Sequence, residues 1–423
     1  VSKLTVSGAV VAATPSVVRA TGEWAPPLLI LVAAGTILVP GALLSAVTPV
    51  VTKLRLTSLD ETGTIVGRLS GISTAGAIAG TVVTGFVLVS RVPVSWILIG
   101  LGVALMITAV PVAVRARRWG AGAGLVVVAL VSTVAAETAP GSCDVETRYH
   151  CALVEVDPDR EGGRTLVLDN LRHSYVDLDD PSHLEFAYVQ AIASVVDATF
   201  EPGAPLRAYH LGGGGLTLPR HLAADRPGTR SVVSEIDPGV VRIDREQLGL
   251  DASPGIRVRV EDGRQGLRRL DADSRDLVVG DAFGGVSVPW HLTTAEAIAD
   301  VARVLTADGI YVANLIDHGD LRFARAEVAT LRSRFDHVLV TGEPWDIGLD
   351  DSGADGGNLV VVASDRPIDG AAVQAAIDRR GLDWAVSDGA ALEAWVGDAQ
   401  VLTDELAPVD QLLEAFPTAA RSR

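Results

Sequence analysis

Lysine is almost absent from this chain. Of its 423 residues only Lys3 and Lys53 are lysines, and none lies beyond them. A segment without lysine can neither form a Schiff base nor carry a Walker-type phosphate loop. Cysteine is as scarce. Cys143 and Cys151 are the only two, too few for a zinc site by themselves even with His150 beside one of them, so no metal is expected. Basic charge is short as well, at a net of −17. Residues 1–140 are net positive, with nine Lys or Arg against four acids, so the deficit lies wholly in residues 141–423. An acidic region of that kind repels phosphate backbones, which excludes nucleic acid as a partner. The first residues also lack the charged start and cleavage site of a signal peptide.

Apolar residues are plentiful, and the mean hydropathy is positive, at +0.33. Four apolar runs stand out at Pro27–Val51, Ile65–Val89, Val94–Val114 and Ala121–Ala136. The first three reach the ~20 residues needed to cross a bilayer, and the fourth is marginal. Small residues pepper them, as in Ser70–Gly85, which suits close helix packing in lipid. Residues 1–25 form a weaker segment, read as part of a helix whose upstream neighbours are missing. Residues 26–138 are read as three to four spans in a bacterial cell membrane, with the lipid bilayer as partner. Lys53, Arg55 and Arg68 lie between the first two spans, and Arg115, Arg117 and Arg118 between the third and fourth. The positive-inside rule puts both loops in the cytoplasm. If the fourth run spans, the C-terminal domain is extracytoplasmic, and Cys143 and Cys151 stand where a disulfide is permitted. If it does not, the domain is cytoplasmic and the two are free thiols.

Residues 139–200 read as a small β region plus a helix. Strands are expected at Cys151–Val156 and Arg164–Leu168, with a helix from Ser182 to Val196. From Pro205 strands and helices alternate. Strands are expected near Arg207–Leu211, Ser231–Glu235, Arg257–Val260, Asp276–Val279, Gly309–Leu315, His337–Thr341 and Asn358–Ala363. That pattern gives a doubly wound α/β sheet over residues 201–368, with one of the last two strands antiparallel. Residues 369–423 are read as a tail of short helices.

Ligands bind such sheets at the carboxyl ends of the strands, and four motifs fall there. The turn Leu211–Gly215 lets backbone approach a ligand at Gly212, Gly213 and Gly214, just ahead of a helix. Glu235 ends the next strand, where an acid accepts both ribose hydroxyls. Asp262, with Gly263 after it, ends the third and suits an adenine amino group. Asp281 ends the fourth, mid-cleft, where chemistry would occur. The bland alternatives are a plain glycine turn, a helix cap at Asp237 and a solvated loop acid at Asp281. The joint order of the motifs favours a nucleoside site.

These motifs resemble the spermidine synthase (polyamine aminopropyltransferase) family, which has a class I methyltransferase-like, Rossmann-like fold. The likeness runs over residues 143–365. It includes TRYHCALVEV around Tyr149, LVLDN with Asp169 and EFAYVQ with Tyr188, and beyond it the closing TDELAPVD of Thr403–Asp410 also resembles the family's C-terminal signature. The whole chain looks like the bacterial subset in which membrane spans precede such a domain. The resemblance implies decarboxylated S-adenosylmethionine as co-substrate, with no permanently bound cofactor. It further implies Asp281 as catalytic acid, and Tyr149, Tyr188 and Asp169 on the acceptor side. A homodimer through the soluble domain is also expected. The departures fall on the amine acceptor. The family's glycine loop ends in an acid where this chain has Gly215, and its second catalytic-strand acid is here Gly284. A dicationic acceptor then loses two charge-assisted contacts, so little spermidine is expected from putrescine. The alternative is a catalytically inactive module that binds a nucleoside or polyamine and serves the membrane region.

Overall fold

The computed structural model describes residues 2–21, 26–55, 62–115, 143–169, 171–250, 255–285, 287–350 and 352–414. The chain divides into two compact units, Val1–Cys151 and Ala152–Arg423.

The first unit is helical: α1 (Ser2–Thr21), α2 (Pro26–Ser45), α3 (Val47–Arg55), α4 (Thr62–Val83) and α5 (Val94–Arg115), then a two-residue strand β1 (Val145–Glu146). Among the described residues three stretches are long and apolar enough to cross a membrane: Pro27–Lys53, Thr62–Leu88 and Val94–Pro111. Their large side chains are widely exposed, Phe86 by 79%. The fourth apolar run, Ala121–Ala136, lies outside the described residues, as do Arg117 and Arg118. The weak N-terminal stretch is the helix α1. It packs on α5 through glycine: a Cβ at Gly8 would lie 2.6 Å from the Gly102 carbonyl oxygen, and one at Gly102 would lie 2.7 Å from Ala12 Cβ. Small residues let two helix backbones approach this closely. Cys143 and Cys151 are disulfide-bonded, with Cα atoms 5.3 Å apart.

The second unit opens on an antiparallel meander of β2 (Cys151–Val156), β3 (Gly163–Leu168) and β4 (Leu171–Asp177). The first two strands fall where the alternation of apolar residues puts them. The third is not legible in the sequence, because LRHSYVD carries three polar residues in its first four. A helix, α6 (Ala187–Thr199), comes next. It starts five residues later than expected. Ser182 does not cap it; the Ser182 backbone N–H and hydroxyl both donate to Asp180, which makes a local turn instead.

Then β5 (Arg207–Leu211), β6 (Arg230–Glu235), β7 (Ile256–Val260), β8 (Arg275–Gly280), β9 (Leu305–His318), β10 (His337–Gly342), β11 (Gly356–Ser364) and β12 (Ala385–Ser387) form one sheet. Its order is β12-β10-β11-β9-β8-β5-β6-β7. β5 pairs parallel with β6 and β8, and β8 with β9, while β11 runs antiparallel to both β9 and β10. This is the class I methyltransferase-like, Rossmann-like arrangement. The C-terminal segment is more than short helices, since β12 adds an edge strand on β10. Three residues give no readable period, which is why sequence alone misses it.

Chain order steps from β5 outward to β7 and then returns to β8 on the other side of β5. That reversal is the topological switch point, and it opens the crevice beyond the carboxyl ends of β5 and β8. The sheet interior is aliphatic, with Tyr209, Val278, Val312 and Val361 all buried, so the strand ends are held rigidly.

Candidate active site

Past Leu211 the chain enters the glycine turn with Gly212 at φ +92°. A Cβ there would run into the Asp281 carbonyl oxygen, so only glycine brings the ends of β5 and β8 this close. Asp281 N–H donates to Leu211 O at 2.9 Å and locks the two ends together. Glu235, at the end of β6, shapes the rest of the turn. It accepts from Gly213 N–H at 2.9 Å and from Asp237 N–H at 2.8 Å. Asp237 itself caps α8 (Pro238–Glu246), after α7 (Thr217–Asp225), by accepting from Gly239 N–H.

Asp281 is partly buried on a cavity of about 660 Å³, which Gly212, Gly213, Gly214 and Tyr188 also line. Asn314 donates to its Oδ1 at 3.0 Å and Tyr188 OH to its Oδ2 at 3.3 Å. Asn358 donates in turn to Asn314 at 2.9 Å, a relay across β8, β9 and β11. Enclosure by protein pushes the Asp281 carboxyl up to about 6, against those two hydrogen bonds, which lower it. Burial and the neighbouring Asp281 raise the Tyr188 hydroxyl well above its ordinary value. The result is a carboxylate that ionises near neutrality, held by neutral donors and facing open space.

Not every residue singled out from the sequence gathers here. Asp262 caps α9 (Gly263–Arg268), accepting from Gln265 N–H at 2.9 Å, and its other oxygen lies 2.9 Å from His291 Nε2. Gly263 O accepts from Tyr209 OH. Neither Asp262 nor Glu235 is among the residues lining the 660 Å³ cavity. Asp169 sits at a left-handed turn between β3 and β4 and does not line it either. Tyr149 belongs to the first unit and is 46% exposed. Sequence reasoning misses Asn314, Asn358, Ser174 and Glu343, all of which line the cavity. A polar residue inside the apolar run YVANLI is the one available signal for Asn314.

The glycine at 215 has a structural explanation. Its φ is +71°, and a Cβ there would run into Ser174 Oγ and lie 2.7 Å from Ser174 Cβ. At Gly284, by contrast, nothing lies within 4 Å of an added Cβ. Gly215→Asp is therefore expected to destabilise the fold by about 2–4 kcal/mol, from left-handed strain plus overpacking. Gly284→Asp is expected to leave the melting temperature near that of the parent. Thermal unfolding of both variants checks this, and equal melting temperatures would contradict it.

No family profile matches the chain. Among curated proteins it is 32% identical over 169 residues to a polyamine aminopropyltransferase of Vibrio vulnificus, covering 38% of this chain and 52% of the relative. It is 29% identical over 174 residues to one of Chromobacterium violaceum, covering 41% and 65%. The chain thus spans between half and two thirds of the length of these relatives. Among solved structures it resembles a probable spermidine synthase from Corynebacterium glutamicum, at 29% identity and a TM-score of 0.57, over 62% of this chain and 96% of that one. By sequence and by fold together, this chain is spermidine synthase-like.

Proposed function

We propose that the chain is a membrane-anchored aminopropyltransferase. Decarboxylated S-adenosylmethionine would lie along the glycine turn with its ribose toward Glu235 and its adenine toward Asp262. A neutral amine attacks the methylene next to the sulfonium. The new N–C bond forms as the S–C bond breaks, methylthioadenosine leaves, and the proton lost from nitrogen passes to the Asp281 carboxylate. Proximity supplies most of the rate, and the carboxylate contributes as base. The observation that carries this reading is Asp281, held by Asn314 and Tyr188 on the cavity wall beside Gly212. The test is to incubate the purified full chain with decarboxylated S-adenosylmethionine and a panel of amines. Methylthioadenosine released in step with a new aminopropyl amine supports the proposal, and release with no amine dependence contradicts it.

The anchor is the apolar first unit. Exposed side chains such as Phe86, Ile37 and Ile72 offer surface that lipid, rather than water, would cover. One observation favours a second reading, in which the domain faces outward as a nucleoside- or polyamine-binding module: the Cys143–Cys151 bond, a feature of oxidising compartments. Reporter fusions after Arg423 separate the two. Basic loops facing the cytoplasm and four spans predict that a reporter active only outside the membrane is active, and that one active only in the cytoplasm is silent. The reverse pattern would return the domain to the cytosolic donor pool and weaken the module reading.

A further inference from the structure

Resting on the aminopropyl-transfer reading, we propose that Arg172 holds a carboxylate of the acceptor, so that the acceptor is an ω-amino acid with its amine at Asp281 and its anionic end at Arg172. Arg172 stands on β4, is exposed, and is the one guanidinium among the residues lining the 660 Å³ cavity. Its guanidinium carbon lies 5.2 Å from the centre of the Phe186 ring. Phe186 packs against the core, so this platform is fixed. The guanidinium is stacked rather than paired: among the described residues it meets no carboxylate and makes no hydrogen bond. Stacking leaves the N–H fork free at its edge, and that fork receives a carboxylate through two parallel hydrogen bonds. Ser174, two residues further along β4, is 5% exposed and brings to the same cavity a hydroxyl that has no partner. It is a second donor on this wall.

The acids of the cavity have other partners. Glu185, Asp281, Glu343 and Asp346 all line it. Glu185 lies 3.3 Å from His183 Nε2. Asp346 accepts from Asp355 N–H and Gly356 N–H at 3.0 and 2.9 Å. Glu343 accepts from the Trp384 indole N–H, while burial and the nearby Asp346 raise its carboxyl above the ordinary glutamate range. Asp281 is held by Asn314 and Tyr188. Neither Gly215, where β4 meets the glycine turn at Ser174, nor Gly284 supplies an acid. The cavity thus carries a base for an amine and an unpaired cation, a two-signed wall that a zwitterion matches and a dication does not. Spacing selects among zwitterions. From Arg172 the path to Asp281 runs over two rings: the Phe186 ring centre is 6.1 Å from that of Tyr188, whose hydroxyl is 3.3 Å from Asp281 Oδ2. In an α-amino acid the amine and the carboxylate share one carbon and cannot reach both ends. In an ω-amino acid methylenes separate them, and those methylenes would lie along the two rings.

The test uses the purified full chain in detergent with decarboxylated S-adenosylmethionine. ω-Amino acids of four, six and eight carbons are compared with the unbranched monoamine of the same carbon count, which lacks the carboxylate, and with 1,4-diaminobutane. At the best chain length the amino acid is expected to exceed its monoamine at least about tenfold in kcat/KM. Arg172→Gln should cut that ratio by about ten- to a hundredfold. Arg172→Lys, which keeps the charge but not the fork, should recover part of the loss. No advantage over the monoamine at any length, a higher value with the diamine, or an Arg172→Gln variant of unchanged melting temperature that keeps the advantage overturns the proposal. An Arg172-dependent preference for S-adenosylmethionine over its decarboxylated form would place the carboxylate on the donor, and overturns it as well. The same amines are titrated with methylthioadenosine present. If amino acid binding depends on Arg172 while the decarboxylated donor releases no methylthioadenosine with any amine, the transfer reading falls and this carboxylate site stands.

Discussion

Asp281→Asn is expected to lower aminopropyl transfer by at least about a hundredfold, the usual worth of a positioned base, and to leave methylthioadenosine affinity unchanged. The substitution preserves size, its amide oxygen can still accept from Asn314 and its NH2 can donate to the Tyr188 hydroxyl, so it removes charge without opening a hole. The same carboxyl gives a pH signature. Its value of about 6 means the base form appears as pH rises through that point, so the transfer rate of the parent should climb there. Stability should move the opposite way. The folded value lies above the ordinary 3.8, so the fold is penalised once the unfolded chain ionises. The penalty grows between pH 3.8 and about 6 and is fully present above that. At roughly 1.4 kcal/mol per unit, Asp281→Asn should stabilise the protein at pH 7 by on the order of 3 kcal/mol, and hardly at all at about pH 3. Loss of transfer together with a higher melting temperature marks a residue kept for chemistry. Full transfer by the Asn variant would remove Asp281 from the mechanism.

Glu235→Ala carries the second large effect, on binding. Both Glu235 oxygens accept backbone N–H groups, from Gly213 and Asp237. The side chain therefore shapes the glycine turn and, by proposal, meets the ribose. Removing it loses a charge-assisted contact worth about 1.5–3 kcal/mol, which corresponds to roughly ten- to 150-fold weaker nucleoside binding. It also leaves two amides without their acceptor, at about 1–3 kcal/mol each if they stay buried. Stability measured alongside affinity separates the two effects. A folded Glu235→Ala variant that binds methylthioadenosine as tightly as the parent would end the ribose assignment.

Strands β5 to β11 of the Rossmann-like sheet are legible because each is a short apolar run closed by a turn, and the carboxyl-end motifs keep the chain order of those strands. The three long apolar helices are legible for the simpler reason of length. What cannot be read is contact between residues far apart in sequence. Gly215 reads as a missing acid; that Ser174 fills the space beside it depends on β4, a strand hidden by its polar start. Asp262 reads as a ligand acid, whereas its partners Gln265 and His291 appear only once α9 is formed. Glu343 and Trp384 sit on a loop and next to a three-residue edge strand, where no period exists to place them. Asn314 and Asn358 meet because β11 enters the sheet antiparallel, in register with β9.

The most direct test is calorimetric titration of the full chain in detergent with methylthioadenosine and with decarboxylated S-adenosylmethionine. Saturable binding of both is predicted, weakened by Glu235→Ala and unaffected by Asp281→Asn. Absence of saturable binding by either nucleoside, in protein whose thermal unfolding is cooperative, would contradict the nucleoside site and the transfer chemistry built on it.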